Sequence, residues 1–473
     1  MVTMRDKARV LVVASMICCI AGSFSVNLYL LWASQPHYPV YSCPAPPPGK
    51  TWIKVERGET PVANPLKGFM PYAGTGHVFP HSLEYSYFSL RSIAGATTGV
   101  FNFSTIDTFL DNVAGRGHQA VFRIYLDYPS LQTGVPQYLI DVGVEMRTYT
   151  EEGGGLSPDY DDPRVVAEMV ACIDALSAAY DGDPRVGFIE AGMLGKWGEW
   201  HVSPHDVWMA NETTQRAVLQ AYEDAFTTTW ILARYPTAIT GDYRVGYHDD
   251  SFAYATLFAE GSQGWYFWVQ MAAMDMSEVW QQAPIGGEVR PEIQAAVFRS
   301  PRVEGQDYNA CVYTTHASWM LMSAVFHPTD SWWNMSDADL ERAMEGSRLM
   351  GYDLRACWVN YTYSAALSEL SVSVVVANFG VAPFYYNWTA EFGLFNQTGA
   401  LVRQYPTPAS ILGILPGQYV IWNAILDGIL PGDAGGFIGV RVPNVLPGGS
   451  PVIFSNKEIS PDGWTFLCNF THP

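Results

Sequence analysis

The sequence predicts an α/β protein in which a (β/α)8 barrel of the TIM type precedes an antiparallel β-sandwich, with an N-terminal transmembrane segment. Short apolar runs alternate with helical patterns from Trp52 to about Tyr352, as expected for parallel strands joined by helices. After about Arg355 the apolar residues follow a period of two, which is typical of antiparallel strands. The run from Val10 to Ala33 is uncharged and mostly apolar.

The composition is that of a folded protein with a strongly negative charge. Of the 473 residues, 48% are hydrophobic and 14% are aromatic, so the chain can bury a large core. Lys and Arg number 26 against 46 Asp and Glu, a net charge of -20. A field of this sign repels phosphate backbones, so we expect no nucleic-acid partner.

The N-terminal apolar run follows Arg5, Lys7 and Arg9 and is long enough to cross a bilayer. We therefore expect a signal anchor over residues 1–34, a proline-rich stalk over 35–50, and a single-pass type II membrane protein with a lumenal or extracellular ectodomain. The alternative is a secreted protein, because small residues at Ala21–Ser23 also fit signal cleavage.

Asn-x-Ser/Thr acceptor sites indicate a glycoprotein and again a lumenal compartment. They lie at Asn102, Asn211, Asn334, Asn360, Asn387, Asn396 and Asn469. No CxxC pair is present, so a zinc knuckle or a redox motif is not expected. Cys357 and Cys468 both lie in the C-terminal region, and we expect them to form a disulfide.

The predicted barrel spans residues 51–354 and the predicted sandwich spans 355–473. Asp162–Tyr180 and Thr213–Tyr235 have helical periodicity, and Pro163 suits the first turn of its helix. The predicted barrel strands are Ala120–Leu126, Val186–Gly192, Ala238–Thr240, Trp265–Val269 and Ala283–Ile285. In the sandwich, alternation is clearest over Leu370–Val376 and Trp388–Leu394.

A glycine-punctuated loop after the fourth predicted strand presents Trp197, Glu199, Trp200 and His201. Loops at the carboxyl ends of barrel strands form the active face of such folds. Apolar walls raise the pKa of a carboxyl group, so Glu199 between two indoles is a candidate general acid. Aromatic faces also stack on sugar rings, which points to a carbohydrate.

Glu288 follows the seventh predicted strand and two glycines, and we expect an exposed carboxylate there. Strands 4 and 7 face one another across the mouth of an eight-stranded barrel. Two carboxylates in that position match glycoside hydrolysis, with Glu199 as acid/base and Glu288 as nucleophile of a retaining enzyme. We expect Arg244 or Arg290 to keep Glu288 ionised.

Other polar residues near predicted strand ends are candidates for substrate binding. They are Arg123, Asp127, Arg244, His248, Asp250 and His316. Glu190 lies inside the fourth strand and is interpreted as a buried charge paired with Arg123 or Arg244. No metal site and no cofactor are expected.

Several segments resemble one family of barrel proteins. The segments Asn64–Met70, Gly192–His201, Arg244–Asp250 and Gly286–Glu288 resemble the glycosidase-like family of domain of unknown function 4832 with its N-terminal companion 4874. Asn378–Tyr385 resembles the start of its C-terminal sandwich. The resemblance spans roughly residues 52–470 and implies the barrel fold, but no activity comes with it.

Two other functions remain open. A catalytically inactive carbohydrate-binding or adhesion protein would have the same cleft. A lumenal glycosyltransferase often has a type II anchor and an Asp-x-Asp string, which occurs at Asp159–Asp161, Asp181–Asp183 and Asp337–Asp339. The sequence contains no GxSxG, GxxxxGK[ST] or HExxH motif, so the corresponding chemistries have no support.

Overall fold

The computed structural model describes residues 39–75, 79–259, 261–428 and 436–470. Those from Tyr41 onward belong to one compact unit. The predicted anchor, 1–34, lies outside the described residues, as does the beginning of the predicted stalk. Within the described part of the chain, no helix combines the length and apolarity needed to cross a membrane.

The described residues contain strands and helices of very unequal length. The strands are β1 (Ile53–Lys54), β2 (Gly68–Met70), β3 (Leu83–Ser89), β4 (Gln119–Tyr125), β5 (Met146–Tyr149), β6 (Gly155–Pro158), β7 (Val186–Glu190), β8 (Ile231–Ala233), β9 (Gly246–Phe252), β10 (Ile285–Val289), β11 (Trp319–Leu321), β12 (Leu354–Ser364), β13 (Glu369–Asn378), β14 (Thr389–Asn396), β15 (Leu401–Ser410), β16 (Tyr419–Leu426), β17 (Gly436–Arg441) and β18 (Thr465–Phe470). The α-helices are α1 (Leu90–Ile93), α2 (Ser104–Ala114), α3 (Gln137–Asp141), α4 (Pro163–Tyr180), α5 (Glu212–Ala225), α6 (Phe267–Ala273), α7 (Tyr308–Thr315) and α8 (Asp337–Leu349).

Eight parallel strands form a nearly closed barrel, in the order β2-β11-β10-β9-β8-β7-β4-β3. The remaining gap between β2 and β3 is bridged by a parallel pairing of Tyr72 with Tyr85. There the Tyr85 amide donates to the Pro71 carbonyl at 2.9 Å, and the Ala73 amide donates to Tyr85 at 2.9 Å. The predicted α/β class and parallel barrel are confirmed.

Helix α4 shows why the sequence prediction succeeds in the third α/β unit of the barrel, which contains β4 and α4. Asp162 caps the helix by accepting a hydrogen bond from the Arg164 amide at 2.9 Å, and Pro163 occupies the first turn. The apolar face of the helix then buries Val165, Met169 and Ile173 in the barrel's outer core. The strands on either side, β4 and β7, are also close to their predicted bounds.

The fifth barrel strand was predicted wrongly. The structure places it at Ile231–Ala233, inside the predicted helix Thr213–Tyr235. Helix α5 ends at Ala225, because the amides of the next threonines, Thr227–Thr229, donate to the Asp181 carboxylate. The segment predicted as this strand, Ala238–Thr240, instead leads into a 3-10 turn. Trp265–Val269, another predicted strand, overlaps helix α6.

The C-terminal part forms two antiparallel four-stranded sheets, β1-β12-β13-β16 and β15-β14-β17-β18. Inward residues of both sheets, such as Val374 and Phe392, share one hydrophobic cluster. Ile53 pairs with Val359 in the first sheet, so β1 lies outside the barrel to which the sequence assigned it.

The predicted disulfide between Cys357 and Cys468 is wrong. Cys357 is bonded to Cys43, and Cys468 is a free thiol. Pairing of β1 with β12 brings the preceding chain beside Cys357, whereas Cys468 lies on β18 in the other sheet. The bond therefore ties the segment before β1 to the first antiparallel sheet.

Most predicted glycan acceptors lie on the surface, but Asn360 does not. The exposed acceptors are Asn102, Asn211, Asn334, Asn387, Asn396 and Asn469. Asn360 is buried in β12, and its Nδ2, the atom that would carry the sugar, donates to the Thr51 carbonyl at 2.6 Å. A glycan at Asn360 is therefore incompatible with this fold.

Candidate active site

A cleft of about 980 Å³ opens at the carboxyl ends of the barrel strands. Its walls include an unusual number of aromatic side chains, namely Tyr72, Tyr87, Tyr128, Trp197, Trp200, Tyr235 and Trp265. Its carboxyl groups include Glu199, Asp250 and Glu288. Concave sites with aromatic walls and a few convergent polar groups are the usual form of a ligand pocket.

The loop after β7 is held by backbone conformations and by Trp200. Trp197 and Trp200 have φ of 54° and 57°, in the left-handed region that side chains rarely adopt. The indole of Trp200 donates to the Ala191 carbonyl at 2.6 Å and is 9% exposed, so this residue mainly anchors the loop. Trp197 and His201 line the cleft as predicted.

Glu199 extends from this loop into the cleft, with a side chain that is 15% exposed. Its Oε1 lies 3.4 Å from Nη1 of Arg123, and its Oε2 lies 3.5 Å from Nε2 of His201. The carboxyl group is thus accessible to a ligand while two basic side chains hold it. This is a suitable position for a group that exchanges protons.

Glu288 lies within β10, the seventh barrel strand, and is 9% exposed rather than freely exposed as predicted. Burial raises its pKa well above the usual range, and the nearby negative charges of Asp250 and Glu199 add to the effect, while Arg123 opposes it. Among the described residues, no hydrogen-bond or ion-pair partner contacts its carboxyl group.

Neither arginine predicted to keep Glu288 ionised does so. Arg244 precedes β9 and is exposed at the other end of the barrel, where its guanidinium packs over Trp230 at 4.1 Å. Arg290 lines the cleft, but its Nε donates to Glu292 at 2.9 Å and its guanidinium lies over Tyr254. The substrate-binding prediction for Arg244 is therefore wrong as well.

Arg123 is 1% exposed and lies beneath the cleft, so it is not the substrate-binding residue that was predicted. Its Nε donates to Oε2 of Glu190 at 2.7 Å, and its Nη2 donates to Oδ2 of Asp250 at 2.6 Å. The interpretation of Glu190 as a buried charge paired with Arg123 is confirmed. Tyr85 completes the contacts of Glu190 with a hydrogen bond of 2.5 Å.

His248 is fully buried and cannot contact a substrate, so that prediction is wrong. Its Nδ1 lies 2.8 Å from Oδ1 of Asp250, which fixes the neighbouring carboxylate. Asp250 itself lines the cleft, as predicted. Although burial raises the pKa of Asp250, the charges of Arg123 and His248 outweigh it and hold this pKa well below the usual range.

Two further predicted substrate ligands lie away from the cleft. Asp127 is buried and accepts a hydrogen bond of 2.6 Å from the Tyr149 hydroxyl. His316 precedes β11 at the opposite end of the barrel, where it stacks on Trp280 and contacts the Val381 carbonyl. Burial lowers the pKa of His316 to about 4, so the ring is neutral at pH 7. Both residues are structural.

Several residues of the cleft are not predicted from the sequence, and Tyr72, Tyr128 and Arg234 are the most informative of them. Tyr72 and Tyr128 follow β2 and β4 within three residues, and that position was the available signal. Arg234 directly follows β8, which was hidden in a predicted helix. Its Nη2 lies 3.7 Å from Asp249 and its Nε lies 3.8 Å from Asp250.

Two groups of described side chains have the spacing of metal ligands. In the first, Glu190, His248 and Asp250, the Arg123 guanidinium already pairs with both carboxylates. In the second, which includes Glu84, both carboxylate oxygens accept from Arg116 at 2.7 and 2.6 Å. In each group, an arginine side chain of the protein already supplies the positive charge that a metal ion would bring.

The Asp-x-Asp strings serve structural purposes. Asp161 accepts hydrogen bonds from Asn211 and Thr214, and Asp181 caps the turn before β8. Asp339 forms a capping box with Ser336 at the start of α8. None of these carboxylates lines the cleft, so they do not support a glycosyltransferase.

The sequence matches no family model and no curated protein. Solved structures with some similarity include an endo-glycoceramidase II from Rhodococcus sp., at 10% identity and a TM-score of 0.39 over 77% of this chain and 97% of that chain. An endoglucanase from Pseudomonas stutzeri matches at 12% identity with a TM-score of 0.35, over 60% of this chain and 95% of that chain. The catalytic domain of a β-amylase from Paenibacillus polymyxa matches at 8% identity with a TM-score of 0.38, over 59% of this chain and 98% of that chain. Similarities of this size carry no argument about the reaction.

The raised pKa of Glu288 leads to a prediction about stability. Because the folded state holds this proton more tightly than the unfolded chain, stability should fall as the pH rises above the usual carboxyl range. Glu288→Gln is uncharged at every pH, so its Tm should rise relative to wild type between pH 4 and pH 8. We expect about 1 °C for each kcal/mol of ionisation penalty removed, because the entropy of unfolding scales with the size of the compact unit.

The matched control is Glu341→Gln, at an exposed position on α8. Its Tm should follow that of the wild type at every pH. A Tm difference between Glu288→Gln and wild type that does not change from pH 4 to pH 8 would contradict the assignment.

Proposed function

We propose that the protein is a glycoside hydrolase in which Glu199 and Glu288 act on the glycosidic bond. The observation that supports this most strongly is that two carboxyl groups line one aromatic-walled cleft, one from the loop after the fourth barrel strand and one from the seventh strand. Paired carboxyl groups are the usual catalytic apparatus of glycosidases.

In the proposed retaining mechanism, Glu199 gives its proton to the leaving oxygen as the glycosidic bond breaks. A Glu288 oxygen forms a bond to the anomeric carbon. In the second step Glu199 takes a proton from water, whose oxygen displaces Glu288 and restores the free carboxylate. His201 and Arg123, 3.5 and 3.4 Å from the Glu199 carboxyl oxygens, orient this group.

Burial raises the pKa of Glu288 well above the usual carboxyl range in the free protein and so favours its protonated form, yet a nucleophile must be ionised. Attack therefore requires a pH above the raised pKa or a positive charge beside the carboxyl group. The oxocarbenium-like transition state supplies part of that charge. The expected consequence is a kcat/KM that increases as the pH rises through the pKa of Glu288.

The same feature favours a second candidate, a catalytically inactive carbohydrate-binding or adhesion protein. A Glu288 that stays protonated cannot attack, while Trp197, Trp265 and the tyrosines still offer faces on which sugar rings stack. Such a protein would bind glycans in the cleft without breaking a bond.

Substitution of each glutamate separates these functions on a panel of aryl glycosides. Glu288→Gln should abolish turnover, because no covalent intermediate can form. Glu199→Gln should lose about 10²–10⁴-fold in rate with poor leaving groups and far less with good ones, since those need no proton. Initial rates of glycoside cleavage measure both effects.

Glu341→Gln, far from the cleft on α8, should cleave like the wild type. Glu288→Gln activity within tenfold of wild type would exclude Glu288 as nucleophile. Glycan binding by a wild-type protein that cleaves none of the panel would identify the inactive binding protein instead.

We also propose membership of the family of domain of unknown function 4832 and a lumenal or extracellular location. The disulfide between Cys43 and Cys357 supports an oxidising compartment, and the exposed acceptor asparagines support glycosylation.

After expression through a secretory pathway, endoglycosidase digestion should lower the apparent mass. Asn387→Gln should lower it as well, because Asn387 is exposed, whereas Asn360→Gln should not, because Asn360 is buried. A mass that is unaffected by digestion would contradict this location.

A further inference from the structure

The floor of the cleft contains more acidic than basic side chains. Its carboxyl groups are Glu190, Glu199, Asp249, Asp250 and Glu288, and its basic side chains are Arg123, Arg234 and His248. In a buried environment such a surplus of negative charge is costly unless protons or a bound cation offset it.

The two guanidinium groups already form ion pairs with carboxyl groups other than that of Glu288. Arg123 contacts Glu190 and Asp250 at 2.6 Å each and Glu199 at 3.4 Å. Arg234 lies between Asp249 and Asp250, at 3.7 and 3.8 Å. Neither of them forms an ion pair with Glu288, so the deficit of positive charge is greatest there.

Glu288 provides an independent observation that a ligand belongs at this point. Its side chain is more than nine-tenths buried, it lines the cleft, and no described residue forms a hydrogen bond or an ion pair with it. A buried polar group without a partner costs about 1–3 kcal/mol, more if it is charged. A ligand that donates to Glu288 would recover this energy.

The outer wall of the cleft does not reverse the balance of charge. Asp206 lines it without a basic partner among the described residues, while Glu152 pairs with Lys196 and Glu292 pairs with Arg290. Two aromatic faces, Trp197 and Trp265, also line this space. Both negative charge and aromatic faces attract cations.

We propose that the cleft binds a glycan built from 2-amino sugars, whose protonated amine lies beside Glu288. This rests on the proposed function, because a nucleophile that reaches the anomeric carbon is adjacent to the substituent on the next ring carbon. The ammonium group donates to the unpartnered carboxyl and offsets the negative floor. Uronic acids are repelled by the same charges, and a neutral hydroxyl or acetamide gains no Coulomb energy.

Binding of such a sugar also resolves the ionisation of the nucleophile. A positive charge within about 4–6 Å favours the ionised form of a carboxyl group. The substrate amine therefore lowers the pKa of Glu288, against the effect of burial, and favours loss of the carboxyl proton to solvent. A neutral sugar supplies positive charge only in the transition state.

Three tetrasaccharides that differ only at the second ring carbon test the proposal. They are the β-1,4-linked tetramers of glucosamine, N-acetylglucosamine and glucose. Binding is measured by calorimetry with full-length Glu199→Gln at pH 5.5 and low salt, and cleavage is measured with the wild type. The α- and β-methyl glycosides of glucosamine and glucose are included, so that linkage alone does not decide the outcome.

We expect the amine-bearing ligands to bind at least tenfold more tightly than their glucose counterparts. That ratio should fall several-fold in 0.5 M NaCl, because salt screens the attraction. Adding Glu288→Gln should remove most of the preference, whereas adding Glu341→Gln should leave it intact.

Equal or weaker binding of every amine-bearing ligand overturns the proposal, and so does a preference that survives Glu288→Gln unchanged. Cleavage of the glucose or N-acetylglucosamine tetramer without an amine preference supports the proposed hydrolase but excludes the amino-sugar specificity. An amine preference without cleavage of any tetramer or of any aryl glycoside in the panel supports the specificity and identifies the inactive binding protein.

Discussion

The ion pairs of one buried side chain, Arg123, hold the site together. Its guanidinium joins the fourth barrel strand at Glu190 and the sixth at Asp250, and it also contacts the Trp197 carbonyl and Glu199. Removal of one partner from such a buried network typically costs about 3–5 kcal/mol, because the other charges remain in the interior. The barrel's polar floor and the loop that presents Glu199 therefore depend on the same group.

This arrangement leaves one carboxyl group outside the network. Arg123 satisfies Glu190 and Asp250, but Glu288 faces the cleft with no hydrogen-bond or ion-pair partner among the described residues, and burial raises its pKa well above the usual range. The chemistry proposed for the site follows from that contrast. One glutamate is oriented by basic neighbours and is open to solvent, and the other becomes reactive only when a ligand supplies positive charge.

The sequence predicts the parts of the site whose position follows from strand direction. Glu199 and Glu288 reach the cleft because each lies at or beyond the carboxyl end of an apolar strand. Arg244 and His316 were misplaced because β8 and β11 have only three residues each, too few to show a period. Without those strands, residues that precede a strand cannot be told from residues that follow one.

Burial of the barrel strands on both faces was the second limit on predicting the site from the sequence. A barrel strand is buried on both faces, so no alternation shows whether Arg123 in β4 or His248 in β9 faces a ligand or the interior. The disulfide was predicted wrongly for a related reason, because the partner of Cys357 depends on the pairing of β1 with β12. Such long-range pairings are visible only in the folded chain.

The central claim is that Glu288 forms a bond to the sugar, and peptide mass mapping tests it most directly. Glu199→Gln cannot activate water efficiently, so an aryl glycoside with a good leaving group should accumulate as a glycosyl-enzyme. We expect a mass increase of one sugar unit on the peptide that contains Glu288, and no such increase in the double variant with Glu288→Gln. An adduct on another residue such as Glu190, or cleavage without any adduct, would contradict it.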